Sequence, residues 1–302
     1  MNKKSSRQYH LILNPAAGRG VARKMAPQVT QLVREAFPEC QFFYTEKPGD
    51  ARDYAHQVSM NEDVVIVAGG DGTIHEVVNG LIGGNATLGI IPIGSGNDFV
   101  RILNIPPNPS RAVEIIKSNR HLKMDVGKAN HVFFHNGLGI GFDAFVVVES
   151  QKVKFLRGFL MYLFSIFKTL RHYHNMRVTI ERDGVREERD IFMITVGNGK
   201  SLGGGFFLTP RAKINDHLLD VCIFRALSLR EVLNHIPKAL KGNHLHLPQV
   251  EYFQTSRIII SSDNGLPMHA DGELLPMDIQ RIQVDLIPEA LDVIHNIPAE
   301  EL

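Results

Sequence analysis

Residues 64–80, Val-Val-Ile-Val-Ala-Gly-Gly-Asp-Gly-Thr-Ile-His-Glu-Val-Val-Asn-Gly, constrain the fold of this chain more than any other stretch. Four consecutive β-branched residues leave no polar face, so Val64–Ala68 reads as a buried parallel strand. Gly69, Gly70, Asp71, Gly72 and Thr73 interrupt it, and helical spacing begins at Ile74. A strand, a glycine turn and a helix in this order form a phosphate site. The glycines let backbone approach a ligand closely, and the amides at the helix start favour an anion. Asp71 is the awkward member, because a bare carboxylate repels phosphate; a bound Mg²⁺ or a ribose hydroxyl would account for it.

The surrounding pattern extends this unit into a doubly wound α/β domain. Tyr9–Leu13, Cys40–Thr45, Val64–Ala68 and Leu88–Pro92 read as strands. Between them lie a helix with Met25, Val29, Leu32, Val33 and Phe37 at helical spacing, and a second helix over 50–60. In such folds ligands bind beyond the carboxyl ends of the strands. Past Lys123–Gly127 the crossover helices stop. Val132–Asn136, Met176–Glu181, Ile191–Val196, Leu219–Phe224, Ile258–Ser261 and Ile282–Leu286 read as strands, with Asp183-Gly184 as a hairpin turn. The expected organisation is therefore α/β plus β. A nucleotide-binding domain spans 1–126 with the tail 288–302 returning to it, and a β-rich, sandwich-like domain spans 127–287.

A length of 302 residues accommodates two such cores, and 33 Lys+Arg against 32 Asp+Glu give a net charge of +1. No global field gathers nucleic acid, so an anionic partner must be held locally. Cys40 and Cys222 lie in apolar runs without CxxC spacing, which fits core positions in a reducing cytosol. The basic start Met1–Lys4 is followed by too short an apolar run for a signal peptide, so the expected location is the cytoplasm.

One segment of the β region differs from the rest. Between Gln151 and Ile180 stand Lys152, Lys154, Arg157, Lys168, Arg171 and Arg177 with no acid, around the apolar run Gly158–Phe167. Ten residues fall far short of the roughly 20 that span a bilayer. Two readings stay open: a helix packed on the sheet, or a helix lying on an anionic membrane surface.

A second glycine loop, Gly94-Ser95-Gly96-Asn97-Asp98-Phe99, follows the strand at 88–92 and would face the same ligand as the first. Together with Glu76 and Asn79, the two loops resemble the diacylglycerol kinase catalytic-domain family of bacterial soluble lipid kinases. The resemblance runs over nearly the whole chain. It takes in Asn14-Pro15 with Gly18 and Gly20, Thr45, Asp125, Asn136, Gly141-Phe142-Asp143-Ala144, Gly197-Asn198-Gly199 to Phe206, Pro210, Leu218–Val221 and Ala270-Asp271-Gly272-Glu273.

What the resemblance implies agrees with what such residues do unaided. Phosphoryl transfer requires glycine loops for phosphates, carboxylates for Mg²⁺ and a base for the attacking hydroxyl. It implies ATP and Mg²⁺ as cofactors and an active site in the cleft between the domains. Asn14, Thr45, Gly69, Gly70, Asp71, Gly72, Thr73, Glu76, Gly94, Ser95, Asn97 and Asp98 would contact nucleotide, while Asp71, Asp98 and Asp125 would form the catalytic Mg²⁺ network. Catalytic roles fall to Asp71, Asp271 and Glu273, with Glu273 ahead of Asp271 as base. A structural Mg²⁺ would be held by Asp216 and the carbonyls of Lys213 and Leu218. Two residues depart from the family pattern. His217 replaces a usual Gly at a turn calling for positive φ, and Ser95 replaces Thr but keeps the hydroxyl.

Among the fourteen histidines, the pairs His172-Tyr173-His174 and His244-Leu245-His246 have no carboxylate or Cys at zinc-site spacing. His269, two residues before Asp271, is placed to tune that loop. The reading is then an ATP- and Mg²⁺-dependent lipid kinase, with diacylglycerol converted to phosphatidic acid as its first form. Its partners are a lipid substrate and a transient membrane surface at the inner face, not nucleic acid; oligomeric state, a homodimer included, stays open. The rivals are NAD kinase-like phosphorylation of a soluble nucleotide and a catalytically silent lipid- or nucleotide-sensing module.

Overall fold

The computed structural model describes residues 7–153, 156 and 158–301. The chain divides into two compact units, Met1–Met124 with Glu289–Leu302, and Asp125–Pro288.

In the first unit β1 (Tyr9–Leu13), α1 (Val21–Ala36), β2 (Gln41–Tyr44), α2 (Asp50–Val58), β3 (Val64–Gly69), α3 (Asp71–Leu81) and β4 (Thr87–Pro92) alternate, followed by α4 (Asp98–Ile102) and α5 (Pro109–Ser118). The strands lie parallel in the order β2-β1-β3-β4. Residues Asp292 and Val293 add a further parallel partner to β4. Every residue of β3 and β4 is buried, as apolar runs without alternation require when helices cover both faces. The chain leaves β1 toward β2 on one side and continues through β3 and β4 on the other. The switch point therefore lies between β1 and β3, and both of their carboxyl ends carry the predicted loops.

In the second unit come β5 (His121–Ala129, beginning in the first unit), β6 (Val132–Phe134), β7 (Gly137–Gly141), α6 (Phe142–Lys152), α7 (Gly158–Thr169), β8 (Met176–Arg182), β9 (Val185–Gly197), β10 (Leu219–Arg225), α8 (Leu229–Leu240), β11 (Val250–Thr255), β12 (Arg257–Ser261), β13 (Met268–Ala270), β14 (Glu273–Leu274) and β15 (Arg281–Ile294). Its pairings are antiparallel. The first half of β9 pairs with β8, and its second half lies between β7 and β10. Asp183 and Gly184 make the two-residue turn joining β8 to β9, with φ of 52° and 77°.

Sequence periodicity left out α6, α8 and β11. The N-terminus of α8 carries a local signal nonetheless, a capping box in which Ser228 and Glu231 satisfy each other's backbone amides. Helices α6, α7 and α8 contribute Phe142, Val146, Ile166, Val232 and Ala239 to a second core with Phe192, Phe206 and Phe224. Both cysteines are buried and reduced, and burial pushes the Cys40 thiol up to about 11. Among the described residues no helix is long and apolar enough to cross a membrane.

Candidate active site

In the first unit the two glycine loops close on Asp71. This residue is the first of α3, after an extended Gly70, so its carboxylate sits at the positive end of the helix. Its Oδ2 also accepts the Asn97 backbone amide at 2.9 Å. The carboxylate that looked awkward in sequence is thus stabilised by helix and loop together. Asn97 adopts a left-handed φ of 58°, which turns its amide toward Asp71.

The contact between the loops needs bare backbone. A Cβ on Gly94 would come within 2.5 Å of Gly70 Cα, and one on Gly96 would strike Asp71 Oδ2. Neighbouring loops are tied in by side chains. Asn14 donates through Nδ2 to Thr73 Oγ1 at 2.9 Å and accepts the Ala16 amide on Oδ1. Glu76 accepts the Gly49 amide at 3.0 Å, fastening the loop that follows Thr45, whose own amide donates to Leu13. Glu76 therefore braces the loop at Gly49 that follows Thr45. Asp98 is buried with Oδ1 2.8 Å from Arg101 Nη1, while Ser95 is exposed. The i,i+3 spacing of Asp98 and Arg101 on a helix is a local signal of this pair.

In the second unit Asp271 and Glu273 occupy different environments. Asp271 is buried at a left-handed φ of 52°. Its Oδ1 accepts the amides of Asn136 and Gly137 at 2.9 Å each, and its Oδ2 accepts the His135 amide at 3.0 Å. The His135 ring nitrogen stands 2.9 Å from the same oxygen. Glu273, at the start of β14, is exposed. One acid is enclosed in backbone amides and the other faces solvent.

Asp125 is fully buried, and its Oδ2 accepts the His217 amide at 2.7 Å with the His217 ring 3.1 Å from Oδ1. His217 takes a φ of 63°, so the turn survives the departure from glycine, and its ring adds a contact that glycine lacks. In the same turn Asp216 accepts the Leu218 amide on Oδ1 at 3.2 Å, and Gln254 donates to Oδ2. Burial pushes the nearby Asp220 carboxyl up against the donated Tyr252 and Gln254 hydrogen bonds, and the Asp216 charge adds to the rise. Asp216 thus stands as a carboxylate near Asp220, oxygen donors of the kind the hard cation expected of Asp216, Lys213 and Leu218 would take.

The apolar segment is the helix α7, with Phe159, Leu160, Phe164 and Phe167 exposed. Its positive charge is smaller than the window 151–180 suggests. Glu149, just outside that window, lies 2.6 Å from both Lys152 and Lys168, and Arg177 pairs with Glu188 at 3.3 Å. Lys154 and Arg157 lie outside the described residues.

Known proteins resemble this chain throughout its length. The diacylglycerol kinase catalytic domain family matches residues 8–129, and the YegS C-terminal NAD kinase beta sandwich-like domain matches residues 137–295. A diacylglycerol kinase of Staphylococcus carnosus is 32% identical over 267 residues, 87% of each chain. One of Bacillus subtilis is 32% identical over 268 residues, 87% of this chain and 88% of its own. Among solved structures, a diacylglycerol kinase from Bacillus anthracis superposes with a TM-score of 0.76 at 27% identity, covering 98% of both chains. A yeast NADH kinase shares the fold at a TM-score of 0.55 and 12% identity, covering 98% of this chain and 86% of its own.

Proposed function

The chain belongs to the diacylglycerol kinase catalytic domain family, and we propose that it transfers the γ-phosphoryl group of ATP to the hydroxyl of a membrane lipid, diacylglycerol first. The observation that carries this reading is the identity of 32% over 87% of the chain to relatives named diacylglycerol kinase. The site chemistry agrees with it. Bare backbone at Gly69, Gly70, Gly94 and Gly96, with the α3 amides, is suited to polyphosphate. Asp71 and Asp98 supply oxygen donors in the first unit; in the second, both oxygens of the fully buried Asp125 face His217. Mg²⁺, when bound, would neutralise the charge building on the transferred phosphoryl group.

In the reaction a bond forms between the lipid hydroxyl oxygen and the γ-phosphorus, and the bond from the γ-phosphorus to the β–γ bridging oxygen breaks, leaving ADP. The hydroxyl proton passes to Glu273. Asp271 is a poor candidate for that proton, because three backbone amides already donate to its oxygens; it positions the loop from which Glu273 acts. The exposed aromatic and aliphatic side chains of α7 would rest on the lipid surface that presents the substrate.

Purified protein incubated with ATP, Mg²⁺ and separate panels of diacylglycerol, sphingoid and prenol lipids should phosphorylate diacylglycerol. Product on NAD alone would assign the chain to the soluble-nucleotide kinases, and ATP binding without turnover on any acceptor would make it a sensing module.

A further inference from the structure

Beneath the Asp271–Glu273 loop runs a buried chain of polar groups that the reaction above leaves unused. The Gly272 amide donates to His269 Nδ1 at 3.1 Å. An accepting Nδ1 on a neutral ring leaves the proton on Nε2, which then donates to Asp143 Oδ2 at 2.9 Å. The other oxygen of Asp143 accepts the hydroxyl of Tyr162, which lies on α7. The side chains of His269 and Asp143 are each 3% exposed.

The backbone around this chain is cut to fit it. A Cβ on Gly139 of β7 would strike both Asp143 Oδ2 and His269 Nε2, and one on Gly203 would come within 2.5 Å of Tyr162 Cζ. Asp143 and Tyr162 also line a cavity of about 60 Å³ whose other walls include Phe142, Ile166, Phe206 and Phe224. Groups so enclosed, with every link satisfied, rigidify what they join. At one end is the helix whose Phe159, Leu160, Phe164 and Phe167 are exposed; at the other is the loop bearing the proposed base.

We infer that His269 is a positioning residue for the Asp271–Glu273 loop and that, through Asp143, it ties the loop to Tyr162, so that displacement of α7 by a lipid surface is transmitted to Glu273. The coupling rests on the lipid-kinase reading for its purpose, but the hydrogen-bond chain can be tested without it.

Two sets of variants test this. Tyr162→Phe removes one hydroxyl and no carbon. Hydrogen exchange of the peptide 268–275 should quicken about fivefold, the usual worth of one hydrogen bond, while β10 exchanges as in the unaltered protein. Unchanged exchange in 268–275, or equal quickening in β10, overturns the coupling. In turnover on vesicles of phosphatidylglycerol and diacylglycerol, Tyr162→Phe should lower kcat about fivefold with KM for ATP unchanged; an unchanged kcat, or a loss confined to KM for ATP, also overturns it. His269→Asn retains an acceptor near the Nδ1 position and His269→Gln a donor near Nε2. Asn should preserve more of kcat than Gln, and equal losses would remove Gly272 from the chain. If the unaltered protein phosphorylates no lipid, the proposed function fails, while the exchange measurement still judges the chain.

Discussion

Asp71 and Asp271 both follow strands and adjoin glycines, yet the two units hold them in opposite ways. Around Asp71 the first unit clears side chains away: Gly69, Gly70, Gly94 and Gly96 leave a wall of backbone, and the Asn97 amide and the end of α3 steady the charge. Around Asp271 the second unit closes in, with amides from three successive residues on the two oxygens. A carboxylate meant to meet a cation and phosphates stays half-buried, at a helix start where ligands approach. One meant to set the geometry of a loop is buried among backbone amides. The difference separates a binding acid from a positioning acid more clearly than their similar sequence settings do.

The division can be broken most directly at Glu273. Glu273→Gln should lower kcat by about 10²–10⁴-fold, the range for loss of a general base, with ATP affinity within about twofold by calorimetry. Retention of more than about a tenth of kcat would move the base elsewhere. Next in size is Gly96→Ala, whose new Cβ meets Asp71 Oδ2. A shift of about 1 Å in that carboxylate should cost about 10²-fold in kcat/KM, and an unaffected enzyme would show that the bare wall is not needed.

The cage around Asp271 should register as stability. Asp271→Asn places an amide group among the donors of residues 135–137 and should cost about 2–3 kcal/mol in urea unfolding, with Tm falling accordingly. Asp71→Asn should cost less, since Asp71 is half-buried where Asp271 is buried. Equal losses would erase the contrast between the units.

A smaller, graded effect follows from His244 in the second unit. Its ring stacks on Phe224 with centroids 5.3 Å apart, and burial pulls its pKa from 6.5 down to about 4. Between these values the unfolded chain binds a proton that the folded chain refuses. The contribution to stability is therefore complete above pH 6.5 and is lost as pH falls toward 4, with a slope of up to about 1.4 kcal/mol per pH unit. His244→Gln should flatten the stability profile in that window; an unchanged slope would assign it to other groups.

Much of this architecture is legible without coordinates wherever the cause is local. The run 64–68 has no polar face and becomes a strand buried at every position; Gly69–Thr73 interrupts it and α3 follows; Asp183-Gly184 supplies the two positive φ values of a tight hairpin. The helix α8 was equally local, since its capping box stands in the sequence at Ser228 and Glu231. The net charge of the α7 segment escaped a window count because Glu149 pairs with Lys168 across a helix break.

The amino-acid sequence by itself determined the order of strands and helices in the first unit, the glycine loops at its strand ends and the acids available to them. Period, turn chemistry and steric allowance act over a few residues and need no partner to be read. Tertiary structure alone decided which acid is occupied and which is open. Asp271 meets its amides from 134 to 136 residues away, and His269 meets Asp143 from 126 residues away. Such pairings form only when antiparallel strands bring distant backbone together in register, so no local pattern announces that Asp271 is enclosed while Glu273, two residues on, is exposed.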